Sequence, residues 1–313
     1  TMKDQTTSTG SIAEHRSACS DGSDVSIVIP MKNEQGSVAA LVGDILDRLT
    51  EAEVIVVDDG STDSSAQLAA AAGAVVVQHP VSMGNGAAIK TGIRAASREF
   101  IVCMDADGQH QAKDIPALLA GFAQGYDLVV GQRDAAGQAS LARRLANNFY
   151  NAVASFMVGQ SVKDLTSGFR AFRASLVKGL LPLLPNGFSY PTTSLIAVYR
   201  MGHRVSFVPI EVLKRQGKSH ISPLKDGLRF LVIIFRIATL YSPLKLFLPV
   251  SVCMAALGIA NYLYTYFTDG RFTNMSVVML VASVVVFVIG LVSEQVTTLL
   301  FIALSRHRED NSK

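Results

Sequence analysis

Apolar and polar residues alternate over the first two thirds of the chain in a way that predicts strands and helices in turn. Apolar runs of strand type, such as Val25–Pro30 and Glu53–Val57, are followed by stretches with apolar residues at helical spacing, such as Ser37–Leu49. Further strands are predicted at Ala74–Gln78, from Phe100, at Asp127–Val130, at the end of Asp164–Phe172 and at Val205–Val212. Further helices are predicted at Ser64–Ala72, Met83–Gly92, Ile115–Phe122, Leu141–Val158 and Tyr190–Met201. This alternation predicts an α/β fold with a mostly parallel sheet covered by helices on both faces.

The last third of the chain has a different pattern. Leu224–Leu240 places apolar residues on one helical face and basic residues elsewhere, which favours a helix at a membrane interface over one packed on the main domain. Leu244–Phe267 and Met275–Ser293 are apolar and near the roughly 20 residues that a helix needs to cross a bilayer. The short polar loop Thr268–Asn274 joins them, so the pattern predicts a transmembrane hairpin rather than two core helices.

These patterns divide the chain into five parts. Residues 1–24 are rich in Ser, Thr, Asp and Gly and are expected to be disordered. The expected parts after them are the main domain at 25–220, interface helices at 221–243, the hairpin at 244–305 and a tail at 306–313. Basic residues flank the hairpin at Lys225, Arg229, Arg236, Lys245, Arg306 and Arg308, whereas the connecting loop has Arg271 alone. The positive-inside rule therefore predicts that the main domain and both termini are cytoplasmic.

Composition narrows the classes of protein that remain. Hydrophobic residues make up 49% of the chain and charged residues 17%, and the apolar excess lies in the predicted hairpin. The net charge of +3 is too small to indicate nucleic-acid binding, and none is expected. Cys19, Cys103 and Cys253 lie too far apart along the chain for a metal-binding motif or a disulfide framework, which favours a reducing compartment for the main domain.

Acidic side chains follow several of the predicted strands. Asp105 and Asp107 come directly after the strand that begins at Phe100, with Gly108 allowing a sharp turn. Open α/β sheets bind ligands at the carboxyl ends of their strands, and two carboxylates at this spacing suit a divalent cation shared with phosphate oxygens. An acidic turn without a ligand is the alternative. Asp58 and Asp59 follow another strand at the same predicted edge.

Six motifs occur in order along the chain: VSIVIPMKNEQGSV, VIVVDDGSTDSS, GNGAAIKTGI, MDADGQH, LTSGFRAF and RQGKSHIS. As an ordered series they resemble the motifs of family 2 glycosyltransferases, and in particular those of the dolichyl- and undecaprenyl-phosphate sugar synthases. The resemblance runs from about Val25 to the second apolar helix. It implies the GT-A fold, a Rossmann-like, mostly parallel α/β sheet, for the main domain. It also implies a nucleotide-sugar donor, a polyprenyl phosphate acceptor and a divalent metal, Mg²⁺ or Mn²⁺.

The resemblance also implies roles for individual residues. Donor nucleotide contacts are expected from Pro30, Lys32, Glu34, Asp58, Asp59, Asp105 and Arg215. Metal contacts are expected from Asp105, Asp107 and Gln109. Acceptor phosphate contacts are expected from Arg133, Arg143, Arg144 and Arg170, and Asp107, Arg133 and Arg215 are expected to be catalytic. For Asp58 and Asp59 the alternative is a helix N-cap, since DGSTD can cap the following helix.

The expected activity is an inverting transfer of a hexose to polyprenyl phosphate at the cytoplasmic face of a membrane, with the bacterial inner membrane favoured. A UDP-sugar is the favoured donor and GDP-mannose remains open. Processive polysaccharide synthases share a QxxRW sequence that a chain without Trp cannot contain. Transfer to a hydroxyl acceptor, and a membrane-anchored nucleotide-binding protein without transfer activity, are the alternatives. Self-association through the helices is also expected.

One departure from the related sequences concerns sugar recognition. Many of them carry an acidic residue just before the helix predicted at Tyr190–Met201, whereas this chain reads GFSYPTTSLIAV there. A sugar contact assigned to that acid cannot be transferred to this chain. Ser189, Tyr190 and Thr192 are the polar residues that could take its place.

Overall fold

The structure is a computed structural model that describes residues 21–133, 141–187, 189–213, 235, 239, 241–271 and 273–310. The described residues form two compact units, one of residues 21–155 and 160–213 and the other of residues 156–159 and those from 235 onward. Several expectations fall outside the described residues: the tail at 1–20, the basic segment 214–220, most of the helix at 224–240 and the domain boundary at 220.

A mixed sheet forms the centre of the first unit. Within the described residues its strands are β1 (Val25–Met31), β2 (Glu53–Asp58), β3 (Val75–Gln78), β4 (Phe100–Cys103), β5 (Leu128–Arg133), β6 (Arg170–Arg173) and β7 (Val205–Ile210). Their order across the sheet is β3-β2-β1-β4-β6-β5-β7. All neighbouring pairs are parallel except those of β6, which runs antiparallel to β4 and β5. The expected α/β fold with a mostly parallel sheet is therefore confirmed.

Helices connect these strands where the hydrophobic pattern predicts them. They are α1 (Val38–Arg48), α2 (Ser65–Ala71), α3 (Asn85–Ala95), α4 (Ile115–Ala123), α5 (Leu141–Val158), α6 (Ala174–Leu180) and α7 (Tyr190–Arg200). The sequence analysis did not predict α6, which follows β6 directly. Helix α3 packs closely on the sheet, since a Cβ at Gly92 would lie 2.3 Å from Cγ1 of Val28.

The direction of the strands places the polar loops at one edge of the sheet. Met31 at the end of β1 pairs with Asp58 at the end of β2, and the N–H of Asp59 donates to the carbonyl of Met31 over 2.9 Å. Because β4 and β5 run parallel to these strands within the sheet, the loops after all four strands lie at the same edge. The antiparallel strand β6 begins at that edge, so the loop before Arg170 joins them.

The second unit contains two long apolar helices, α8 (Pro243–Asp269) and α9 (Asn274–Asp310). Pro243–Thr268 and Asn274–Ala303 are long and apolar enough to cross a membrane. In the most apolar stretch of each helix, 11% and 17% of the residues are buried, whereas a core helix of a soluble protein is mostly buried. These helices form the candidate membrane hairpin that the sequence predicted.

The second helix of the hairpin continues well past its predicted end at Ser293. The carboxylate of Glu294 ended the apolar run in the sequence, but in the structure its Oε2 accepts the backbone N–H of Leu244 over 3.3 Å. Leu244 lies in the first turn of α8, where N–H groups have no partner within the helix and a negative charge is favourable. Glu294 therefore caps α8.

Replacing Glu294 by leucine is expected to lower the thermal unfolding temperature of the protein in detergent, because the Leu244 N–H loses its partner. A lost cap costs about 1 kcal/mol. Glutamine should retain most of the stability, since its amide oxygen can accept the same hydrogen bond. Gln295→Leu is the matched control, at an exposed neighbouring position on α9. Equal unfolding temperatures for Glu294→Leu and Gln295→Leu would contradict the capping role.

Candidate active site

The loops after β1 and β2 are joined by hydrogen bonds. Asn33 Oδ1 accepts the N–H of Thr62 over 2.8 Å, and the N–H of Asn33 donates to Ser61 Oγ over 2.9 Å. Asn33 has a φ of 56°, a left-handed conformation that asparagine tolerates better than most residues. Lys32 is exposed beside it, and Pro30 is buried within β1. The two loops therefore form one polar surface, with Lys32 at its exposed side.

The two aspartates that follow β2 are both about 5% exposed, yet their surroundings differ. Asp58 Oδ1 accepts the N–H of Ser61 over 2.9 Å and so shapes the turn that leads to α2. Neither aspartate caps that helix, because the carboxylate of Asp63 accepts the N–H of Ser65 at the start of α2. The alternative of an N-cap at Asp58 or Asp59 is therefore not what the structure shows.

Asp59 anchors the loop that leads from β3 to α3. Its Oδ1 accepts His79 Nδ1–H and the N–H of Met83, both over 2.8 Å, and its Oδ2 accepts Ser82 Oγ–H and the N–H of Gly84 over 2.7 and 2.9 Å. Burial alone would raise the pKa of Asp59, but these hydrogen bonds outweigh it and lower the pKa to about 2. A carboxylate has about four acceptor sites, and all are used here. We therefore leave Asp59 out of the nucleotide site expected from the sequence.

Asp105 and Asp107 lie half-buried in the loop after β4. Asp107 Oδ1 accepts the N–H of Gln109 over 3.1 Å, and the turn between them uses Gly108 at a φ of 72°. The carboxylate of Asp105 lies against Gly168, where a Cβ would be 2.8 Å from its Oδ2. Both carboxylates therefore stand at the edge of the sheet where the sequence placed them.

The donor set suits a metal that is shared with a ligand. Among the described residues, no group of three or more His, Cys, Asp and Glu side chains is placed to hold a metal ion without help. Mg²⁺-like ions need little more than one or two carboxylates when phosphate oxygens and water complete the shell. The Nε2–H of Gln109 donates to the carbonyl of Leu213 over 3.4 Å, so the nitrogen end of its amide faces the chain after β7.

Arg133, at the end of β5, is paired with a carboxylate that the sequence analysis did not assign. Its Nε–H and Nη2–H donate to Oδ2 and Oδ1 of Asp164 over 2.9 and 2.8 Å, and Nη2 also donates to Thr166 Oγ1 over 2.6 Å. Asp164 is 6% exposed. Burial works against the charged form of Arg133, but the bonds and charge of Asp164 prevail and raise its pKa. The motif LTSGFRAF gave the only signal for Asp164, since the residue directly precedes it.

Arg170 does not occupy the position expected of an acceptor contact. It is 0% exposed, and its guanidinium donates to the carbonyls of Ser167 and Pro191 and to Ser194 Oγ. Its charge lies inside the protein, where burial lowers its pKa. Since a lipid phosphate cannot reach a fully buried guanidinium, the structure corrects the acceptor role predicted for Arg170.

His110 follows Asp105 and Asp107 in the loop after β4; it is buried and stacks on Phe169, with ring centroids 5.1 Å apart. Its Nδ1 has no hydrogen-bond partner among the described residues. Burial, opposed by the charge of Asp107, lowers its pKa to about 4. The imidazole is therefore neutral near pH 7 and packs within the core.

Other expected site residues are placed less completely. Arg215 lies outside the described residues, and Arg143 and Arg144 lie on α5 in its first turns, where side chains are not described. Tyr190 is buried and its hydroxyl donates to the carbonyl of Gly168 over 2.9 Å. Thr192 is also buried. Tyr190 is thus engaged with the chain itself rather than open to a sugar.

Parts of both units match models of known protein families. Residues 26–181 match the model of glycosyl transferase family 2, and residues 242–299 match the GtrB C-terminal hairpin. Glycosyltransferase AglJ of Haloferax volcanii is 31% identical over 247 residues, which cover 77% of this chain and 80% of the relative. The dolichyl-phosphate hexose transferase of the same organism is 32% identical over 209 residues, 65% of this chain and 89% of the relative. These matches confirm the resemblance drawn from the motifs.

A bacterial relative matches a shorter part. The undecaprenyl-phosphate 4-deoxy-4-formamido-L-arabinose transferase of Yersinia pestis is 36% identical over 194 residues, which cover 55% of this chain and 58% of the relative. Among solved structures, glucosyl-3-phosphoglycerate synthase from Mycobacterium tuberculosis aligns with a TM-score of 0.58 and 24% identity over 72% of this chain and 83% of that chain. That likeness confirms the GT-A fold.

Proposed function

Since the chain belongs to glycosyl transferase family 2, we propose that it transfers a hexose from a nucleotide sugar to a polyprenyl phosphate. Two curated relatives are a dolichyl-phosphate hexose transferase and an undecaprenyl-phosphate 4-deoxy-4-formamido-L-arabinose transferase, and the end of this chain matches the GtrB C-terminal hairpin. The observation that carries the proposal is the pair of half-buried carboxylates, Asp105 and Asp107, at one sheet edge with Arg133. A metal-bound diphosphate and an anionic acceptor are the ligands that such a set of charges suits.

The donor nucleotide is proposed to lie across the loops after β1 and β2. Asp58 would accept a hydrogen bond from the base or ribose, with Pro30, Lys32 and Glu34 beside it. Asp59 supports this surface from behind, through the loop that it anchors. Arg215 is proposed to face the donor diphosphate, where a permanent cation offsets negative charge. A UDP-sugar is favoured, and GDP-mannose remains the second candidate.

Asp105 and Asp107, with the amide oxygen of Gln109, would hold the divalent metal on the diphosphate. Solved structures of the mycobacterial synthase contain Mn²⁺ with UDP-glucose, and Mg²⁺ with UDP. The two carboxylates of this chain fit either ion, since both accept oxygen ligands. When bound, such an ion supplies positive charge that stabilises the departing nucleoside diphosphate.

The proposed mechanism is a single in-line displacement with inversion at the anomeric carbon. A phosphate oxygen of the lipid forms the new bond to the sugar, and the bond from the sugar to the nucleoside diphosphate breaks. That phosphate is already ionised near pH 7, so no general base is needed. A hydroxyl acceptor would call for a base, and His110 is a poor one, because it is buried and its pKa is lowered to about 4. Arg133, with Arg143 or Arg144, would hold two anions that otherwise repel each other.

The membrane placement is proposed from the distribution of charge. Arg271 alone lies in the loop between α8 and α9, whereas basic residues flank both outer ends of the hairpin. The positive-inside rule then places the catalytic unit in the cytoplasm, at the inner membrane if the source is bacterial. Self-association through the hairpin is part of the same proposal.

Transfer assays on purified full-length protein test the function. Labelled UDP-glucose, UDP-galactose, UDP-N-acetylglucosamine and GDP-mannose are supplied separately with Mn²⁺ and a short polyprenyl phosphate, and label is followed into the organic phase. Label from one donor, lost with EDTA, is expected. Release of nucleoside diphosphate without labelled lipid would favour a hydroxyl acceptor, and donor binding without release would favour a nucleotide-binding protein.

Replacing Asp58 by asparagine is expected to have a different effect from replacing Asp59 by asparagine. Asp58→Asn should raise the KM for the donor, while its amide oxygen can still accept the Ser61 N–H. Asp59→Asn should instead destabilise the fold by about 2 kcal/mol near pH 7, because the Asp59 pKa lies below its usual value. The Asp59 carboxylate binds a proton more weakly in the folded protein than in the unfolded chain. The stability that this carboxylate gives the folded protein is therefore complete above about pH 4 and is lost as the pH falls towards about 2.

Donor KM and thermal unfolding of both variants measure these effects. The difference in stability between wild type and Asp59→Asn should shrink as the pH falls from 5 towards 3, which separates a charge effect from a packing defect. A raised donor KM with unchanged stability in Asp59→Asn would return Asp59 to the nucleotide site.

A further inference from the structure

The carboxylate of Asp105 rests on the turn that precedes β6. This turn, residues 164–168, is called the Gly168 turn below. The glycine has no side chain at the point of contact, and a Cβ there would lie 2.8 Å from Asp105 Oδ2 and 3.5 Å from its Oδ1. The backbone of Gly168 therefore limits where the Asp105 carboxylate can go.

Side chains from three other elements hold the Gly168 turn in place. Arg170 on β6 donates through Nε and Nη2 to the carbonyl of Ser167, and through Nη1 to the carbonyl of Pro191 at the start of α7 over 2.6 Å. Tyr190 on α7 donates to the carbonyl of Gly168 over 2.9 Å. Arg133 on β5 binds the carboxylate of Asp164.

The turn is also braced from within. Asp164 Oδ1 accepts the N–H groups of Thr166 and Ser167 over 3.3 and 3.1 Å. Arg170 and Tyr190 are at most 1% exposed, and the Arg170 guanidinium lies 5.9 Å from the centre of the Tyr190 ring. A planar fork that joins two carbonyls from different elements fixes their spacing in a way that a flexible ammonium cannot.

We propose that Arg170 and Tyr190 are positioning residues for the metal, which act by holding Gly168 against the metal-binding carboxylate of Asp105. Both side chains are at most 1% exposed, so in this role they act through the turn rather than by touching donor, acceptor or metal. This inference rests on the proposed function only in taking Asp105 as a metal ligand. It replaces the acceptor role of Arg170 and the sugar role of Tyr190 that the sequence suggested.

The contact between Gly168 and Asp105 predicts an unusual response to a small substitution. An added methyl group at Gly168 meets the end of a short side chain, which can rotate away, so the fold should persist. That rotation, however, moves the oxygens that hold the metal. Gly168→Ala should therefore weaken metal binding while leaving the thermal unfolding temperature close to that of the wild type.

The proposal is tested by measuring Mn²⁺ binding to the full-length protein in detergent with electron paramagnetic resonance. The measurement is made once with UDP and once with GDP, and it needs neither acceptor nor turnover. Disturbing groups that orient a metal ligand typically costs about 10–100-fold in metal affinity. Gly168→Ala is expected to raise the Mn²⁺ dissociation constant by about tenfold. Arg170→Lys and Tyr190→Phe are expected to raise it less, and excess Mn²⁺ should restore turnover in all three.

Two of the three variants, Gly168→Ala and Arg170→Lys, have matched controls. Gly43→Ala adds the same methyl group on α1, where a Cβ would have no neighbour within 4 Å. Arg173→Lys makes the same exchange at the other end of β6, where Arg173 binds Glu99 and lies over the rings of Phe100 and Phe122. Neither control should change the Mn²⁺ dissociation constant.

The opposite pattern overturns the proposal. If Arg170→Lys raises the KM for lipid phosphate while Mn²⁺ affinity stays at the level of Arg173→Lys, Arg170 is an acceptor contact. Equal Mn²⁺ affinities for Gly168→Ala and Gly43→Ala would likewise overturn it. Failure of the proposed function has a different signature, since wild type would then bind Mn²⁺ with the nucleotide but transfer no sugar to polyprenyl phosphate.

Discussion

Replacing Asp105 or Asp107 by alanine is expected to abolish sugar transfer. Both carboxylates lie half-buried at the carboxyl edge of the sheet. Among the described residues, no group of three or more carboxylate, histidine and cysteine side chains is placed to bind the proposed metal instead. Charge stabilisation by a bound metal is worth several kcal/mol, so kcat/KM should fall by on the order of 10³-fold. Label transfer to polyprenyl phosphate at saturating Mn²⁺ measures this loss.

Asp47→Ala is the matched control, because Asp47 is an exposed carboxylate near the end of α1. It should transfer sugar at the wild-type rate. The unfolding temperatures of Asp105→Ala and Asp107→Ala should stay near that of the wild type, which separates loss of the metal from loss of the fold. Wild-type turnover in either variant with the metal chelated would reject the metal assignment.

The second large effect is expected at Arg133. Arg133→Ala should raise the KM for lipid phosphate more than the KM for donor, because it removes a cation proposed to hold the acceptor. It should also destabilise the protein by about 3 kcal/mol, because the buried Asp164 carboxylate loses a partner bound through two nitrogen atoms. Initial rates against each substrate and the thermal unfolding temperature give the two results separately.

The double variant Arg133→Ala with Asp164→Ala separates the two roles. Removing the unpaired carboxylate should recover much of the lost stability, since an unsatisfied buried charge accounts for most of that loss. The KM for lipid phosphate should remain high. Arg48→Ala, at an exposed ion pair with Asp44 on α1, is the control and should alter neither quantity. A rise in donor KM alone would assign Arg133 to the donor.

Much of the fold could be predicted because burial leaves a periodic trace in the sequence. The strands from Val25 and Glu53 are nearly continuous apolar runs, as expected where helices cover both faces of a sheet. Their parallel direction then brings Asp58 and Asp105 to one edge without any knowledge of contacts. The apolar helices of the hairpin were predicted from length and composition in the same way.

The partners of individual polar groups could not be predicted in this way. Arg133 and Arg170 look alike in the sequence, yet one is partly exposed and bound to Asp164 while the other is fully buried among carbonyl groups. Asp58 ends β2 and Asp59 follows it in the loop, yet their carboxylates bind different neighbours. Three of the hydrogen bonds that fill the acceptor sites of the Asp59 carboxylate come from Ser82, Met83 and Gly84, which lie more than 20 residues further along the chain.

The amino-acid sequence by itself thus determined the order of strands and helices, the sheet edge that carries the acidic loops and the apolar hairpin. The tertiary structure decided which of the charged residues lie at that edge and which are buried and hold its loops in place through hydrogen bonds. The physical reason is that hydrophobic periodicity reports the burial of each segment, whereas hydrogen bonds form between segments that are distant in sequence. Only the folded chain brings Gly168 under Asp105, and Glu294 to the first turn of the helix that begins at Pro243.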